Sequence, residues 1–450
     1  HVAAGRFQRG ASALRAVHVV PGFRCVGTGV NQQQWQSPDE IEARQWRALQ
    51  ALVRHCWEHV PFYRTWWGDA GVTDAADIAT REDYARLPVL TKPVIRAHAD
   101  ALVSVPHRGQ LYAKATGGST GEPMRFQYTR ESYERRVAVM HRGYAWSGAL
   151  PGQRTAYLWG APVAAPAGFA LWKDRLYHAA FNRLMLNAFE LDDARMAAYI
   201  DAINRFRPET IVSYVGPLVE LAQFAERTGR TLHRPKRVLG AAEALHAHQR
   251  TLLERVFGAP TFDTYGCREF MLIASECEAH AGLHINADHL CVEFHRAEGA
   301  PQEGPAELVI TDLYNLGMPL MRYANGDLGT PQAGRCTCGR GLPMLAKVDG
   351  RKLDALRARD GRLIPGEYIV YVFLGVAGMK QYQVVQTSLD VLRVRIVPDG
   401  SGWGPASEAA VISGLRKVAG DAFTVEFELV EAIALTPSGK RRVTVCELPA

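Results

Sequence analysis

The chain has 450 residues, 47% hydrophobic and 22% charged, with 52 Lys and Arg against 46 Asp and Glu for a formal net charge of +6. That length exceeds what one core usually supports, so two or three domains are expected, and the composition excludes disordered and fibrous classes. The mild positive excess suits an anionic substrate, and without a basic block it gives no ground for nucleic acid as a partner.

Residues 40–60 place Ile41, Trp46, Leu49, Leu52, Val53, Cys56, Trp57 and Val60 at helical spacing, with Ser37-Pro38-Asp39-Glu40 as a start signal. Pro61 ends that helix. Val60-Pro61-Phe62-Tyr63-Arg64 and Leu87-Pro88-Val89-Leu90-Thr91-Lys92 then read as turns and connectors. The densest signal follows. Thr116, Gly117, Gly118, Ser119, Thr120 and Gly121 combine glycines, whose N–H groups approach a ligand closely, with hydroxyl donors. Such a run can cradle a polyphosphate. It is not a Walker A loop, because Glu122 and Pro123 follow Gly121 where that motif needs lysine. On its own it reads as a surface turn.

Between about 110 and 330, strands are expected over 155–159, 210–214, 237–240, 261–265 and 307–311, and helices over 217–227 and 246–257. This alternation predicts an α/β layer architecture. After about 350 the texture changes. Leu392, Val394 and Ile396 alternate with arginines, and Phe423, Val425, Phe427 and Leu429 alternate with polar residues, around a helical stretch at 406–418. A small α+β domain is expected there, with its boundary near Gly350-Arg351-Lys352, so 1–350 and 351–450 are the predicted domains. No apolar core long enough for a signal peptide follows His1. The longest apolar run, 369–379, is far short of the ~20 residues of a membrane span. A cytoplasmic setting is expected.

Four further segments bear on the glycine loop. Gly240-Ala241-Ala242-Glu243 lies where a strand runs into small residues, the place at which α/β folds bind ligands. Tyr265-Gly266-Cys267-Arg268-Glu269 carries a carboxylate at a strand end that could hold Mg²⁺. Asp327, in Asn325-Gly326-Asp327, can accept hydrogen bonds from a vicinal diol. Lys440, in Ser438-Gly439-Lys440, can reach across a cleft as a mobile cation. Each alone is an ordinary turn or packed strand end.

Taken in order, these phrases resemble the adenylate-forming superfamily, specifically its phenylacetate–CoA ligase-like branch and that branch's capsular-polysaccharide relatives. The resemblance spans about 35 to 445. It implies a large N-terminal adenylation domain and a small mobile C-terminal domain. The implied reaction is ATP-dependent activation of a carboxylic acid, of an aryl or arylacetic kind, followed by capture of the acyl-adenylate by CoA. Non-CoA acceptors (amine, hydroxyl or carrier protein) and a non-catalytic nucleotide-binding role are the alternatives.

By the same resemblance, Thr116 to Gly121 would bind the β- and γ-phosphates, and Gly240, Ala241, Ala242 and Glu243 would flank the adenine. Tyr265 and Gly266 would lie beside it, Glu269 would ligate Mg²⁺, and Asp327 would hold the ribose, with Arg351 nearby. Lys440 would bridge carboxylate and α-phosphate. Thr116, Glu269 and Lys440 are the implied catalytic set. Arg268 stands where many members have threonine, and the hinge phrase after Arg351 keeps only Asp354 of an acidic pair. Trp159, Phe169, Trp172 and Tyr177 would suit an aromatic or apolar acid. The expected assembly is a homodimer.

Eight cysteines in a chain this long do not make a disulfide scaffold. Cys277, His284, Cys336 and Cys338 resemble a structural Zn²⁺ set found in some phenylacetate-ligase-like proteins, with His280 as the alternative imidazole.

Overall fold

The computed structural model describes residues 29–116, 124–160, 176–188, 190–296, 303–351, 355–357, 363–364, 369, 372–373, 376–419, 423–434 and 442–448. The first long helix, α1 (Pro38–His59), starts on a capping box in which Ser37 and Glu40 satisfy each other's backbone N–H groups. It buries Ile41, Leu49, Leu52, Val53 and Cys56. Pro61 does end α1, but the segment after it is not a connector. Pro61 opens a second helix, α2 (Pro61–Asp69), which buries Phe62, Tyr63 and Trp67. Proline is preorganised for a first turn, where its missing N–H costs nothing. The second phrase is pinned too. Leu90 makes a parallel bridge to Tyr323, with Leu90 N–H to Arg322 O at 2.9 Å and Ala324 N–H to Leu90 O at 2.9 Å.

A two-stranded hairpin, β1 (Tyr112–Ala115) and β2 (Arg125–Tyr128), carries the glycine loop between its strands and leads into α3 (Arg130–Trp146). Strands and helices then alternate as β3 (Thr155–Trp159), β4 (Arg183–Asn187), α4 (Asp193–Phe206), β5 (Thr210–Tyr214), α5 (Val215–Thr228), β6 (Arg237–Ala241), α6 (Ala247–Phe257) and β7 (Thr261–Cys267). Six more strands follow: β8 (Met271–Glu276), β9 (Leu283–Ile285), β10 (Leu290–His295), β11 (Ala306–Asp312), β12 (Tyr323–Gln332) and β13 (Met344–Arg351). All except the hairpin join one 11-stranded sheet in the order β10-β11-β12-β13-β9-β8-β7-β6-β5-β3-β4.

The half from β4 to β7 is parallel, as the α/β alternation predicts. The half from β7 to β10 is antiparallel. β11 is the expected strand over 307–311, while β8 and β9 are buried almost throughout and lack the alternation by which a one-faced strand is read.

Two apolar clusters flank the sheet. One packs Leu49, Tyr63, Trp67 and Leu90 on Tyr265, Ile310 and Tyr323. The other packs Ile200, Leu218, Leu221 and Phe257 on Ile211 and Val238. The C-terminal region builds a separate four-stranded sheet from β16 (Met379–Ser388), β17 (Val391–Pro398), β18 (Thr424–Leu429) and β19 (Thr444–Cys446). These follow two short paired strands, β14 (Leu356–Arg357) and β15 (Leu363–Ile364). Helix α7 (Pro405–Ala419) supplies Val411 and Leu415 to a third cluster with Val384, Leu392, Val394 and Ile396. The expected strand–helix–strand is β17-α7-β18, with β17 and β18 parallel. No helix among the described residues is long and apolar enough to cross a membrane.

Candidate active site and thiol–imidazole cluster

The carboxyl ends of β5, β6 and β7 lie side by side, and the predicted segments 240–243 and 265–269 leave from them. Thr116 closes the neck of the glycine loop: its N–H donates to Met124 O and its hydroxyl oxygen accepts from Met124 N–H, both at 2.9 Å. Among the described residues the hydroxyl proton has no acceptor. Gly117, Gly118, Ser119, Thr120 and Gly121 lie outside the described residues, as do Lys440, Asp354, Phe169 and Trp172.

At the end of β6, Ala242 takes φ +66°. This turns Glu243 back so that its carboxylate accepts from Gly216 N–H at 2.6 Å. The carboxylate thus caps the amino end of α5, where negative charge is favoured. Gly240 accepts the Thr264 hydroxyl at 2.7 Å through its carbonyl. At the end of β7, Gly266 is obligatory, since a Cβ there would sit 2.0 Å from Met271 O. The resulting tight turn between β7 and β8 presents Arg268 and Glu269 together.

Tyr265, Asn325 and Asp327 form one buried network. Asp327 Oδ2 accepts from the Tyr265 hydroxyl at 2.9 Å and from Asn325 Nδ2 at 2.7 Å. Asn325 Nδ2 also donates to the Tyr265 oxygen at 2.8 Å, and Asp327 N–H donates to Asn325 Oδ1 at 3.0 Å. Arg351 Nε stands 3.4 Å from the other carboxylate oxygen, Oδ1. Burial and then the Asp327 charge push the Tyr265 phenol well above its ordinary pKa, so it remains a donor. Tyr265 is therefore the brace that aims Asp327. Glu269 is buried and accepts from the Tyr323 hydroxyl at 2.9 Å. Arg268 reaches back to the hairpin, donating to Ala115 O at 3.0 Å next to the loop's neck. Burial, and then the Glu269 and Asp327 charges, raise the Cys267 thiol.

Sequence reasoning assigned no role to Tyr323 or Asn325. The signal was present: Tyr323, Asn325 and Asp327 alternate along β12 and are buried on one face. Lys92, from the early Leu87–Lys92 phrase, donates to Asn325 O at 3.3 Å and ties that phrase to the site. Trp159, at the end of β3, lies 4.6 Å between ring centroids from Tyr214 at the end of β5, forming an aromatic wall. Tyr177 is exposed.

The second constellation is 277–338. The ligand atoms of Cys277, His284, Cys336 and Cys338 all lie within 4.8 Å of one another. Cys277 Sγ and Cys336 Sγ are 3.6 Å apart, and Cys338 Sγ is 3.3 Å from His284 Nε2. A tetrahedral zinc with ~2.3 Å Zn–S and ~2.0 Å Zn–N bonds requires about 3.8 and 3.5 Å, so the donor set fits. Burial, then Arg340, lower His284 to about 4, which leaves a neutral imidazole. His280 lies elsewhere, with Nδ1 3.3 Å from Glu276 Oε1. Arg340, buried and paired with Glu278 at 3.0 Å, stacks between Trp35 and Trp146 beside the cluster.

Residues 356–447 match the CapK C-terminal domain. Phenylacetate-coenzyme A ligase of Thermus thermophilus is 29% identical over 362 residues, 77% of this chain and 78% of the relative. Protein CapK of Staphylococcus aureus is 24% identical, covering 80% of this chain and 79% of the relative. A 2-hydroxyisobutyryl-CoA ligase structure in the postadenylation state, in complex with R3-HIB-AMP, superposes with TM-score 0.71 at 21% identity, covering 92% of this chain and 91% of that one. The chain has the adenylate-forming fold. Its relatives are phenylacetate–CoA ligases and CapK. Within that fold, Tyr265 lies on β7, where the parallel and antiparallel halves meet, and its hydroxyl links that strand to Asn325 and Asp327 of β12.

Proposed function

We propose that this chain is an ATP-dependent carboxylic acid–CoA ligase that works through an acyl-adenylate. The observation that carries the reading is the buried link from Tyr265 on β7 to Asp327 on β12, with Glu269 in the turn after β7 and Arg268 reaching Ala115 at the neck of the glycine loop, in a chain related to phenylacetate–CoA ligases. A carboxylate oxygen attacks the α-phosphorus of ATP, the bond to the β-phosphate oxygen breaks, and pyrophosphate leaves. The CoA thiol, losing its proton, then attacks the acyl carbonyl and AMP departs. Asp327 Oδ1 beside Arg351 accepts the ribose hydroxyls. Backbone groups of 240–243 flank the adenine. Thr116 and the loop of Gly117, Gly118, Ser119, Thr120 and Gly121 hold the outer phosphates, assisted by Arg268. Lys440 bridges carboxylate and α-phosphate. Such preorganised donors act where charge develops, and losing one costs ~3 kcal/mol of transition-state stabilisation.

Glu269, a hard oxygen donor with no ion pair among the described residues, suits Mg²⁺, which would neutralise phosphate charge. Cys277, His284, Cys336 and Cys338 would hold a structural Zn²⁺ with no open position. The acid is of an aryl or arylacetic kind, supported by the Trp159–Tyr214 wall. The catalytic body is 1–350 and the mobile lysine-bearing domain 351–450, supported by the separate C-terminal core. The free thiols among the described residues suit a cytoplasmic setting. The assembly is a homodimer, which light scattering checks.

The test is acid-dependent ATP–pyrophosphate exchange. Lys440→Ala and Asp327→Ala should each lower it at least about a hundredfold, and exchange that survives both changes refutes the roles. A second reading concerns the last step alone, transfer to a non-CoA acceptor. AMP release without CoA consumption would establish it.

A further inference from the structure

The row of residues at the carboxyl ends of the parallel strands holds a polar group that the roles above leave unused, the hydroxyl of Tyr214. In-register pairing sets Tyr214 of β5 directly beside Ala241 of β6, the second residue of the segment assigned to the adenine. Residues paired in register share a face, and adjacent strands lie about 5 Å apart, so the Tyr214 ring stands next to that segment, beside a residue that offers only a methyl group. On the other side, from β3, the Trp159 ring lies 4.6 Å away between centroids. Two residues beyond Tyr214, Gly216 N–H donates to Glu243 at 2.6 Å, which ties the end of β5 to the far end of the same adenine segment.

The hydroxyl is held in place and stays protonated. Burial is the largest influence on it and raises it above its ordinary pKa. The backbone of Gly160 hydrogen-bonds it in the sense that favours the phenolate, so the phenol oxygen is the acceptor of that bond and the O–H acts as a donor. After burial, the two charges that act on it most are of opposite sign, Arg268 and then Glu243. Such influence falls off with distance, so the two charges mark where the hydroxyl stands. Arg268 donates to Ala115 O at the neck of the glycine loop, the part assigned to the outer phosphates. Glu243 ends the adenine segment. A hydroxyl within reach of both lies between the two ends of the nucleotide, and the anionic group of ATP in that interval is the α-phosphate.

We propose that the Tyr214 hydroxyl donates a hydrogen bond to a non-bridging oxygen of the α-phosphate, and so to the phosphorane that forms as the carboxylate attacks. The inference rests on the ligase reading and adds a donor to it. No proton is transferred. The phenolic O–H bond stays intact while the bond from the acid oxygen to phosphorus forms and the bond to the β-phosphate oxygen breaks. The contact strengthens as charge collects on the equatorial oxygens, where a fixed donor is of most use. The same oxygen survives in AMP, the product of the second step, so the contact is measurable without chemistry.

Calorimetric binding of AMP and of adenosine to the wild type and to Tyr214→Phe tests this, since phenylalanine keeps the ring against Trp159 and removes only the oxygen. AMP should bind the variant about tenfold more weakly, as expected for a lost hydrogen bond to a charged group, and adenosine should bind both proteins equally. Acid-dependent ATP–pyrophosphate exchange at saturating ATP and acid should fall about tenfold or more, with the KM of the acid unchanged within about twofold. Equal AMP affinities in a variant with native circular dichroism overturn the proposal. A parallel loss for adenosine overturns it as well, because the ring's packing and not its hydroxyl is then at work. So does a raised acid KM with AMP affinity unchanged, which sets the hydroxyl against the acid. If no acid supports exchange even in the wild type, the ligase reading fails and the binding comparison still decides. A loss confined to AMP upholds the contact, and a wild type that binds neither compound overturns it.

Discussion

The two halves of the central sheet are built from the same kind of strand but do different work. In the parallel half, β4, β5 and β6 each run into a crossover helix, and small and aromatic residues stand at the carboxyl ends of β3, β5 and β6. In the antiparallel half, strands return on themselves, and buried polar groups are locked in pairs. Arg136 donates to Asp312 Oδ2 at 3.0 and 2.6 Å, and Arg142 grips Asp288 at 2.7 and 2.8 Å. The Asp327 network and the thiol cluster belong to this half as well. The parallel half thus brings small and aromatic strand ends side by side, and the antiparallel half holds charges still beside them. A buried charge with satisfied partners cannot drift, which is what a site that must meet a developing phosphorane needs.

This contrast predicts that substitutions in the antiparallel half act on stability and those at the parallel strand ends act on substrate use. The largest effect is expected at the thiol cluster. Cys277→Ala, or treatment with a chelator, should cost on the order of 5 kcal/mol or more in denaturant unfolding, because binding of the proposed Zn²⁺ there would be folding free energy. Arg136→Met should follow, at about 3–5 kcal/mol, since it leaves the Asp312 carboxylate buried and uncompensated.

Third is the acid limb of stability. Burial, ahead of the nearby charges, lowers His289 to about 4. The unfolded chain therefore takes up a proton between about pH 6.5 and 4 that the native state refuses, and stability falls as pH drops through that window. The group contributes about 2–3 kcal/mol to that fall, and His289→Gln should flatten the Tm-against-pH curve between those values. The smallest stability effect is expected in the parallel half. Trp159→Leu should cost about 1 kcal/mol yet raise the KM for the acid severalfold. A Trp159 variant that unfolds while Arg136→Met stays at wild-type stability would dissolve the contrast.

Much of this arrangement was legible in the sequence, for identifiable reasons. The parallel strands β3, β5, β6 and β7 were found because turns and helical stretches punctuate them, β4 was not, and the order of the motif phrases pointed to the adenylate-forming fold. Of the strands from β8 to β13, only β11 was read, as 307–311; burial on both faces erases the alternation of β8 and β9. Pro61 ends one helix, as read, but it also starts the next, and only packing of Phe62, Tyr63 and Trp67 decides that. Of the site, the Asp327 carboxylate was assigned a ligand but not the two groups that hold it. Tyr265 lies 62 residues away, a separation no local pattern reports, whereas Asn325 is two residues away and its alternation could have been read. The choice of His284 over His280 needed the path of β9, which brings His284 opposite Met344 and so beside the chain leading back to Cys336 and Cys338.

The bridge between Leu90 and Tyr323 bears on how the molecule comes into being. Lys92 and Asn325 are 233 positions apart, and Tyr63 donates its hydroxyl to Pro319 across 256. A chain emerging amino end first can pair α1 with α2 early, but it cannot seat them on the sheet until residues beyond 319 have been synthesised. Contacts of such separation close slowly, and the apolar faces of Trp67 and Leu90 stay without their partner meanwhile. The wall that would hold the ribose is therefore completed late during biosynthesis, and a chain cut short before β12 would retain the whole parallel half while lacking both Asp327 and the strand that keeps its amino-terminal helices out of water.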